Sequence, residues 1–305
     1  MSTHDLVLNR PDDGVPTTED QTPLVSVIIS NFNHASYIEA SIRSVLEQTY
    51  SNIELLVYDD GSSDNSIDII QRLADQHGFF FQPQANQGLS KTLNTAIERA
   101  RGELIAPFGS DDIMLPDRFE KQVPWLIARP QVGIAAGNII KIDETGKHQP
   151  DRRQRQYPER LITFEDLFLG RIKGPPAATL LFRKTILQDC GGFNPEIRLE
   201  DLYIELKITE LGWHIGAMSD ALAYYREHPT NTIKNLRFMH EAVLKTYACF
   251  AQHPDYEIVL NQWINHQFLR ASNRDKAFAR ECLRSLPIQA WNLKTLRGMW
   301  RLLTA

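Results

Sequence analysis

The chain has 305 residues, of which 42% are hydrophobic, and a formal net charge of −5. This length allows one large domain with an appendage or two domains, and the slightly acidic charge argues against nucleic acid as a partner. Cys190, Cys249 and Cys282 form no CxxC pair, so neither a zinc site nor a disulfide framework is indicated, and a reducing compartment is favoured.

The distribution of apolar residues indicates neither a signal peptide nor a transmembrane span. The first 22 residues lack the apolar run of a signal peptide, so we interpret residues 1–22 as a mobile N-terminal tail. No stretch of about 18 apolar residues occurs anywhere in the chain, and no transmembrane span is therefore predicted. We expect a cytoplasmic protein.

From residue 24 onward, short apolar runs alternate with segments of helical periodicity. Strands are predicted at 24–30, 53–58, 79–82 and 103–108. Helices are predicted at 37–48, 66–75 and 90–100, the last with Ser90 as its N-cap. This alternation with short links predicts an α/β fold, in which right-handed crossovers build a parallel sheet covered by helices on both faces.

Ligands of open parallel sheets bind beyond the carboxyl ends of the strands. Polar residues and glycines follow all four predicted strands: Asn31, Asn33, Asp59, Asp60, Gly61, Asn86, Gly88, Ser110, Asp111 and Asp112. Acids gathered at one edge indicate a cation or hydrogen-bond donors rather than a bare phosphate. The adjacent carboxylates at positions 111 and 112 are compatible with a metal site, a turn or a helix cap.

The following part of the chain, residues 117–232, is less regular. It contains predicted strands at 132–143 and 177–183, an exposed basic loop at 145–158, a helix near 164–169 and a helix at 199–212. In the helix at 199–212, Leu202, Leu206 and Leu211 are expected to face inward. From residue 233 the pattern is helical, so a separate helical region is expected at 233–305.

Three phosphate-binding classes are excluded by absent motifs. The first strand–helix turn, "SNFNHAS", has no glycine and so cannot be a G-x-G-x-x-G dinucleotide site. No GxxxxGK[ST] loop occurs, which excludes a P-loop protein. The glycine-rich opening loop with an arginine that a sugar-nucleotide pyrophosphorylase would carry is also missing.

Five blocks of the sequence together resemble a known family. They are "VSVIISNFNHASYIEASIRSVLEQTY", "LLVYDDGSSDNS", "NQGLSKTLNTAIERARGELIAPFGSDDIMLP", "CGGFNPEIRLEDLYIELKITELGW" and "YYREHPTNT". In this order they are similar to the family 2 glycosyltransferases of GT-A fold, an inverting group that builds bacterial surface polysaccharides. The resemblance covers residues 24–232 and implies a Rossmann-like, mostly parallel sheet in a catalytic domain at 23–232, followed by a C-terminal helical extension.

The resemblance implies a nucleotide-diphosphate sugar donor, of UDP or dTDP type, and a divalent cation. Asp59 or Asp60 would accept the N3–H of the base, because a carboxylate is an acceptor-only group. Asp111 and Asp112 would bind Mn²⁺ or Mg²⁺ together with diphosphate oxygens. The family often has an aspartate where this chain has Gly109, which implies weaker metal binding here.

The resemblance also implies the catalytic residues. Asp201 matches the base that takes the proton of the acceptor hydroxyl, with Glu200 orienting the acceptor, although acids are also common at a helix N-terminus. Arg226 and His228 would approach the diphosphate, with His228 joining the metal ligands, and Lys91 lies near the expected nucleotide. The acceptor would be a glycan or a lipid-linked sugar. Alternatively, the chain is a catalytically silent module that binds a nucleotide or glycan.

The segment 291–303, "WNLKTLRGMWRLL", combines apolar and basic residues without an acid. Leu293, Leu296, Trp300 and Leu303 share one helical face, and basic residues occupy the adjacent stripe. Such a helix can lie in an anionic membrane surface, which would make the protein peripheral at the inner face of the membrane. A helix packed on the catalytic domain is the alternative.

Overall fold

The computed structural model of the protein describes residues 22–149, 156–229 and 231–304. The expected N-terminal tail, apart from Thr22, and the arginines of the basic loop (Arg152, Arg153 and Arg155) lie outside these residues. The strands are β1 (Val25–Asn31), β2 (Ile53–Asp59), β3 (Phe80–Pro83), β4 (Leu104–Gly109), β5 (Ile113–Met114), β6 (Val132–Asp143), β7 (Arg160–Ile162), β8 (Leu181–Arg183) and β9 (His214–Glu227).

These strands form one mixed sheet in the order β3-β2-β1-β4-β8-β6-β9-β5, and β7 pairs with β9. The first four strands in this order are mutually parallel, as the alternating pattern predicts. β6 and β9 are also parallel to each other, whereas β8 pairs antiparallel with both β4 and β6. The short strand β8 therefore joins two parallel groups into one sheet.

Helices cover both faces of the sheet, and further helices follow it. They are α1 (Ile38–Leu46), α2 (Ser66–His77), α3 (Leu89–Arg99), α4 (Arg118–Ile127), α5 (Phe164–Phe168), α6 (Lys184–Asp189), α7 (Glu200–Glu210), α8 (Leu236–Ala248), α9 (Tyr256–Ala271), α10 (Lys276–Ser285) and α11 (Leu293–Thr304). None of the helices in the described ranges is long and apolar enough to cross a membrane.

The two faces of β1 belong to different cores because successive side chains of a strand point in opposite directions. Ile28 packs into a cluster with α3 and α7, whereas Val27 and Ile29 pack into a cluster with α1, α2 and α4. A strand that is buried on both faces reads as a continuous apolar run, as "VSVII" nearly does. The predicted α/β architecture is confirmed.

The C-terminal helices share one core with the sheet and build another of their own. Phe250 and Val259 belong to the cluster beneath α3 and α7. Ile264, Phe268 and Phe278 form a separate cluster within α9 and α10. The helical nature of this region agrees with the sequence, and the division into units at residue 232 stays a prediction.

Three local predictions were wrong. Ser90 is not the N-cap of α3, because Gly88 occupies that position with φ +89°, which favours glycine; the Ser90 hydroxyl instead donates to the carbonyl of Ile197. The strand predicted at 177–183 begins as a 3₁₀ turn, Ala177–Thr179, before β8. Leu211 is exposed because α7 ends at Glu210, before the helix turns it inward.

Asn94 of α3 holds the chain that leads into α7. Its side-chain amide donates to the carbonyl of Phe193 at 2.7 Å, and its carbonyl oxygen accepts the N–H of Phe193 at 2.9 Å. A side chain on Gly192 would lie 2.7 Å from the Asn94 oxygen, so this approach requires a glycine. The pairing therefore holds the segment before α7 against the middle of α3.

We expect Asn94→Ala to lower the free energy of unfolding by about 1–3 kcal/mol, because both backbone groups of Phe193 lose their partner. Urea denaturation measures the change, with Thr95→Ala, an exposed neighbour on the same helix, as the control. Equal stability of the two variants would show that the Phe193 pairing does not hold the loop.

Candidate functional site

The polar residues predicted at the strand ends do meet at one edge of the sheet. Asn31 lies opposite Asp59 in the β1–β2 register, and Asp59 lies opposite Pro83 in the β2–β3 register. On the other side of β1, Ser30 lies opposite Gly109. Parallel pairing thus gathers the carboxyl ends of four strands, as the general rule for open sheets requires.

Asp59 and Asp60 are buried carboxylates that hold this edge together. Asp59 accepts the side-chain amide of Asn31 at 2.7 Å and both the N–H and the hydroxyl of Ser62. Asp60 accepts four hydrogen bonds, from Gln84 and Thr92 side chains and from the backbone N–H groups of Gln87 and Gly88. A buried carboxylate needs such partners, and these also fix the loops that follow β2 and β3.

The two loops touch closely at Gly61. A side chain there would lie 2.8 Å from the backbone nitrogen of Asn86, and the φ angle of +82° also favours glycine. The Asn86 side chain donates to the carbonyl of Asp60. Asn33 has a φ of 55°, and its side-chain oxygen accepts the N–H of Ser63. Gly61, Asn86 and Asn33 therefore lie in the loops at the carboxyl edge of the sheet. Lys91 is exposed on the first turn of α3.

Asn31 contributes a buried atom without a partner. Its side-chain oxygen Oδ1 has no hydrogen bond within the described residues, although its Nδ2 is bound by Asp59 and Ser62. A buried acceptor left unpaired costs free energy unless a ligand or water supplies the donor. The edge therefore carries an acceptor that suits an N–H or O–H donor of a ligand.

A possible metal-binding group lies beside this edge. One ligand atom each from His34, Asp111 and His228 lies within 4.8 Å of the others. Asp111 Oδ2 is 2.9 Å from His228 Nε2, and Ser110 Oγ is 2.7 Å from His34 Nδ1. Burial lowers the pKa of His34, which favours the neutral imidazole that binds metals. Two predicted ligands, Asp111 and His228, are thus joined by a third residue, His34.

Asp112 lies behind this group rather than in it. Its Oδ1 accepts the backbone N–H of Arg226 at 2.9 Å, which connects the β4–β5 turn to β9. Burial, followed by the charge of Asp111, raises the pKa of Asp112 to about 8. A side chain on Gly109 would lie 2.9 Å from Asp111 and 3.1 Å from Asp112, so the glycine lets these two carboxylates pack where they do.

Arg226 is buried and is held by backbone oxygens. Its Nε donates to the carbonyl of Asp111 at 2.8 Å, and its NH1 contacts the carbonyls of Asp143 and Glu144 at 3.2 Å. Its guanidinium also lies 4.9 Å from the ring centre of Tyr37. Arg226 therefore shapes the backbone around the possible metal-binding group, and its contact with a diphosphate stays a prediction.

The start of α7 carries the predicted catalytic residues. Burial, followed by the charge of Asp201, raises the pKa of Glu200 to about 8, and burial raises the pKa of Asp201 as well. One turn later, Glu205 is 4% exposed, and burial followed by the Asp201 charge raises its pKa well above the usual range. Carboxyl groups that hold protons more tightly than usual are typical of catalytic sites, although buried structural acids also show this.

Tyr225 of β9 is affected by the charges of acids both on α7 and at the strand ends. Burial raises the pKa of its hydroxyl to about 12, and the charges of Asp112, Asp111 and Asp201 add to the rise. The charges of Asp111 and of Asp201 therefore both act on the Tyr225 hydroxyl. That the two predicted sets of residues serve one site stays a prediction.

Sequence reasoning missed several residues of this site. His34 received little weight because a single histidine in a loop carries no pattern, and Tyr225 drew no attention beside Arg226. Phe32 is 48% exposed directly after β1, between two asparagines, at the carboxyl edge of the sheet. An exposed aromatic residue directly after a buried strand was the available signal.

A cleft of about 470 Å³ lies at the opposite edge of the sheet, away from these residues. It is lined by residues at the beginning of β2 and β3, such as Ile53 and Phe80, and by His77 and Arg101. No cluster of candidate metal ligands among the described residues lies there. The carboxyl edge is therefore the better candidate for chemistry.

Residues 26–191 match the family model described as glycosyl transferase family 2. The chain belongs to this family. An uncharacterized glycosyltransferase of Nostoc sp. is 32% identical over 213 residues, which cover 68% of this chain and 66% of the relative. The chain thus spans slightly less than two thirds of that relative's length. The amylovoran biosynthesis glycosyltransferase AmsE of Erwinia amylovora is 30% identical over 209 residues, covering 67% of this chain and 76% of AmsE.

The glycosyltransferase fold is also found in solved structures. S. aureus TarS (residues 1–349), in complex with UDP-GlcNAc, superimposes with a TM-score of 0.63 at 17% identity, covering 88% of this chain and 82% of TarS. Identity this low shows the fold alone. The chain is a family 2 glycosyltransferase with the GT-A fold and a C-terminal helical extension, as its sequence blocks predicted.

The buried acid Glu205 makes stability depend on pH. Its pKa is raised in the folded state, so the folded chain binds more protons than the unfolded chain above the ordinary value of 4.5. The free energy of unfolding therefore falls as pH rises from that value. Because a side chain on Gly174 would lie 2.6 Å from Glu205 Oε2, the surrounding chain leaves little room for water to relieve this cost.

We expect Glu205→Gln to flatten this dependence and to stabilise the protein more near pH 8 than near pH 5, because the glutamine has no proton to retain. Urea denaturation near pH 5 and near pH 8 measures both values. Glu98→Gln, on an exposed position of α3, is the control. An unchanged slope in the Glu205 variant would contradict the buried-acid explanation.

Proposed function

We propose that this glycosyltransferase moves a sugar from a nucleoside-diphosphate donor to a hydroxyl of a glycan or lipid-linked acceptor, with inversion at the anomeric carbon, in polysaccharide biosynthesis. The observation that carries the proposal is the grouping of His34, Asp111 and His228 beside the carboxyl ends of the strands, and the charges of Asp111 and Asp201 that both act on Tyr225 support it. The role of AmsE in amylovoran biosynthesis supports the pathway, and the UDP-GlcNAc bound to TarS supports the donor class.

The nucleotide would lie along the ends of β1, β2 and β3. Phe32 would stack on the base, since every base has a flat π face that can lie on an exposed aromatic ring. The unpaired Oδ1 of Asn31 and the carboxylate of Asp59 offer acceptors to the base N3–H and the ribose hydroxyls, whereas Asp60 already accepts four hydrogen bonds from the protein. This acceptor-rich wall suits uracil or thymine, both of which present an N–H donor.

The donor set fits a divalent cation. His34, Asp111 and His228 supply two imidazole nitrogens and a carboxylate, a combination that suits a transition metal such as Mn²⁺ better than Mg²⁺, which prefers oxygen. A cation at this place would offset the negative charge of the diphosphate as it departs. Asp112 would act from behind, by holding the backbone of Arg226 and so the position of β9.

Asp201 would take the proton of the acceptor hydroxyl as that oxygen attacks the sugar. Inversion in a single displacement needs one such base and no covalent enzyme intermediate. Burial raises the pKa of Asp201, which makes its carboxylate a stronger base once it is ionised. Glu200, whose pKa is about 8, would keep its proton at neutral pH and donate it as a hydrogen bond that orients the acceptor.

Calorimetric titration of UDP, dTDP and GDP, with and without Mn²⁺, tests the donor and the metal. We expect a uracil or thymine nucleotide to bind more tightly with Mn²⁺, and His34→Ala to reduce this gain at least about tenfold. His77→Ala, exposed at the end of α2, is the matched control. Nucleotide affinity that is unchanged by Mn²⁺ would refute the metal site. Failure of all three nucleotides to bind would refute the donor class.

We expect Asp201→Asn to lower kcat by about 10²–10⁴-fold, the usual contribution of a general base, while UDP affinity stays unchanged. Release of UDP from UDP-sugars, with water in place of the acceptor hydroxyl, measures turnover. Asp189→Asn, at an exposed end of α6, is the control. Full turnover in Asp201→Asn would remove this residue from the reaction.

The acid side of the pH–rate profile provides a further test. A raised pKa of Asp201 means that activity is lost, as pH falls, at a higher pH than for an ordinary aspartate, whose value is 3.8. We expect Glu200→Gln to leave the pH of this loss unchanged, because Glu200 keeps its proton through the range in which Asp201 ionises and so places no charge beside it. A loss that moves to lower pH in Glu200→Gln would show that Glu200 is ionised beside Asp201.

A further inference from the structure

The last helix, α11, is seated on α9 through a narrow inner face. Thr295 and Gly298 are buried there, and Met299 and Leu302 pack against the C-terminal core. A side chain on Gly298 would lie 2.5 Å from the ring of Phe268, so the helix backbone rests directly on that ring. The Thr295 hydroxyl donates to the side chain of Asn265. The helix is therefore docked without using Trp300 or three of its four leucines.

Those residues point to solvent. Leu293 is 72% exposed, Leu296 56%, Trp300 67% and Leu303 86%. With about 100° between successive helical residues, these four occupy roughly a quarter of the helix circumference, and we call them the apolar stripe. Single exposed apolar side chains are ordinary, but four aligned ones on a docked helix indicate a surface that binds something.

A row of positive charges borders the apolar stripe. Lys294, Arg297 and Arg301 lie on the adjacent side of the helix, and no acid occurs in residues 282–305. Lys294 and Arg270 both lower the pKa of His266, after burial, so positive charge also surrounds the neighbouring part of α9. The segment that carries the stripe thus has only positive charge although the whole chain is acidic.

Arginines also line a cleft beside α11. The cleft has a volume of about 280 Å³ and is lined by Leu269, Arg270, Asn273, Arg274 and Arg301. None of the ion pairs among the described residues uses any of its three arginines. Guanidinium groups without carboxylate partners suit the phosphates of an anionic surface.

We propose that α11 lies in the surface of an anionic lipid bilayer. The apolar stripe enters the boundary of the acyl chains, and Lys294, Arg297 and the arginine cleft contact lipid phosphates. A second copy of the chain fits this surface less well. A symmetric contact through the stripe would bring the two basic rows together, with no acid in the segment to offset the repulsion.

Flotation of the full chain with phosphatidylcholine vesicles, with and without phosphatidylglycerol, tests the proposal. We expect binding only where phosphatidylglycerol is present, with loss in high salt. The double variant Leu296→Ser, Trp300→Ser should reduce binding at least about tenfold. The double variant Lys294→Gln, Arg297→Gln should reduce it by about fivefold per charge removed. Leu211→Ser, an equally exposed leucine at the end of α7, should bind like the unchanged protein.

Two results would overturn the proposal. The first is no binding to phosphatidylglycerol vesicles, or equal binding by the stripe variant and Leu211→Ser. The second is self-association that the stripe variant abolishes while vesicle binding is absent, which would assign the stripe to a second copy. All the changed side chains are exposed, so thermal unfolding should be unaffected. The binding readout is independent of the donor, the metal and the catalytic base.

Discussion

Burying carboxylates at the end of a parallel sheet is costly unless each one accepts hydrogen bonds, and this constraint organises the site. Asp60 satisfies it with four donors, two of which are backbone N–H groups of the loop after β3. Asp59 accepts hydrogen bonds from Asn31 and Ser62, and Asp112 accepts one from the backbone N–H of Arg226. Each buried acid therefore fixes a different loop around the same edge.

A second set of carboxyl groups has few donors and a different role. No hydrogen bond among the described residues reaches the Glu205 side chain, and Glu200 and Asp201 lie together at the start of α7. Burial raises the pKa of all three. One fold thus contains Asp59 and Asp60, which serve as rigid acceptors, and the acids of α7, whose proton affinity is increased, while Asp112 combines both properties. A raised proton affinity suits proton transfer at neutral pH.

The position of α7 depends on contacts made far from its own acids. Asn94 on α3 pairs with Phe193, and Ser90 donates to Ile197, so the segment before α7 is held on the helix that follows the end of β3. In the proposed reaction, the same contacts would bring Asp201, the base for the acceptor hydroxyl, close to the site of the sugar donor. At the other end of the chain, α11 packs Thr295, Gly298, Met299 and Leu302 inward but leaves a second apolar face exposed, where an ordinary surface helix has polar residues.

Sequence alone was sufficient for the α/β alternation and for the gathering of polar strand ends, because both follow from local periodicity and from parallel pairing. It also identified the family through five ordered blocks. It could not show that His34 meets His228 and Asp111, because that contact joins a loop after β1 to the end of β9.

Tertiary packing alone decided the remaining features. Gly88, tied to Asp60, took the cap position that Ser90 was expected to fill, and Leu211 fell beyond the last helical turn. In α11 the sequence defined an apolar face and a basic face, but the seat of Gly298 on Phe268 determined which face stays in water. Periodicity shows which residues share a side of a helix, and only the neighbouring elements determine which side is buried.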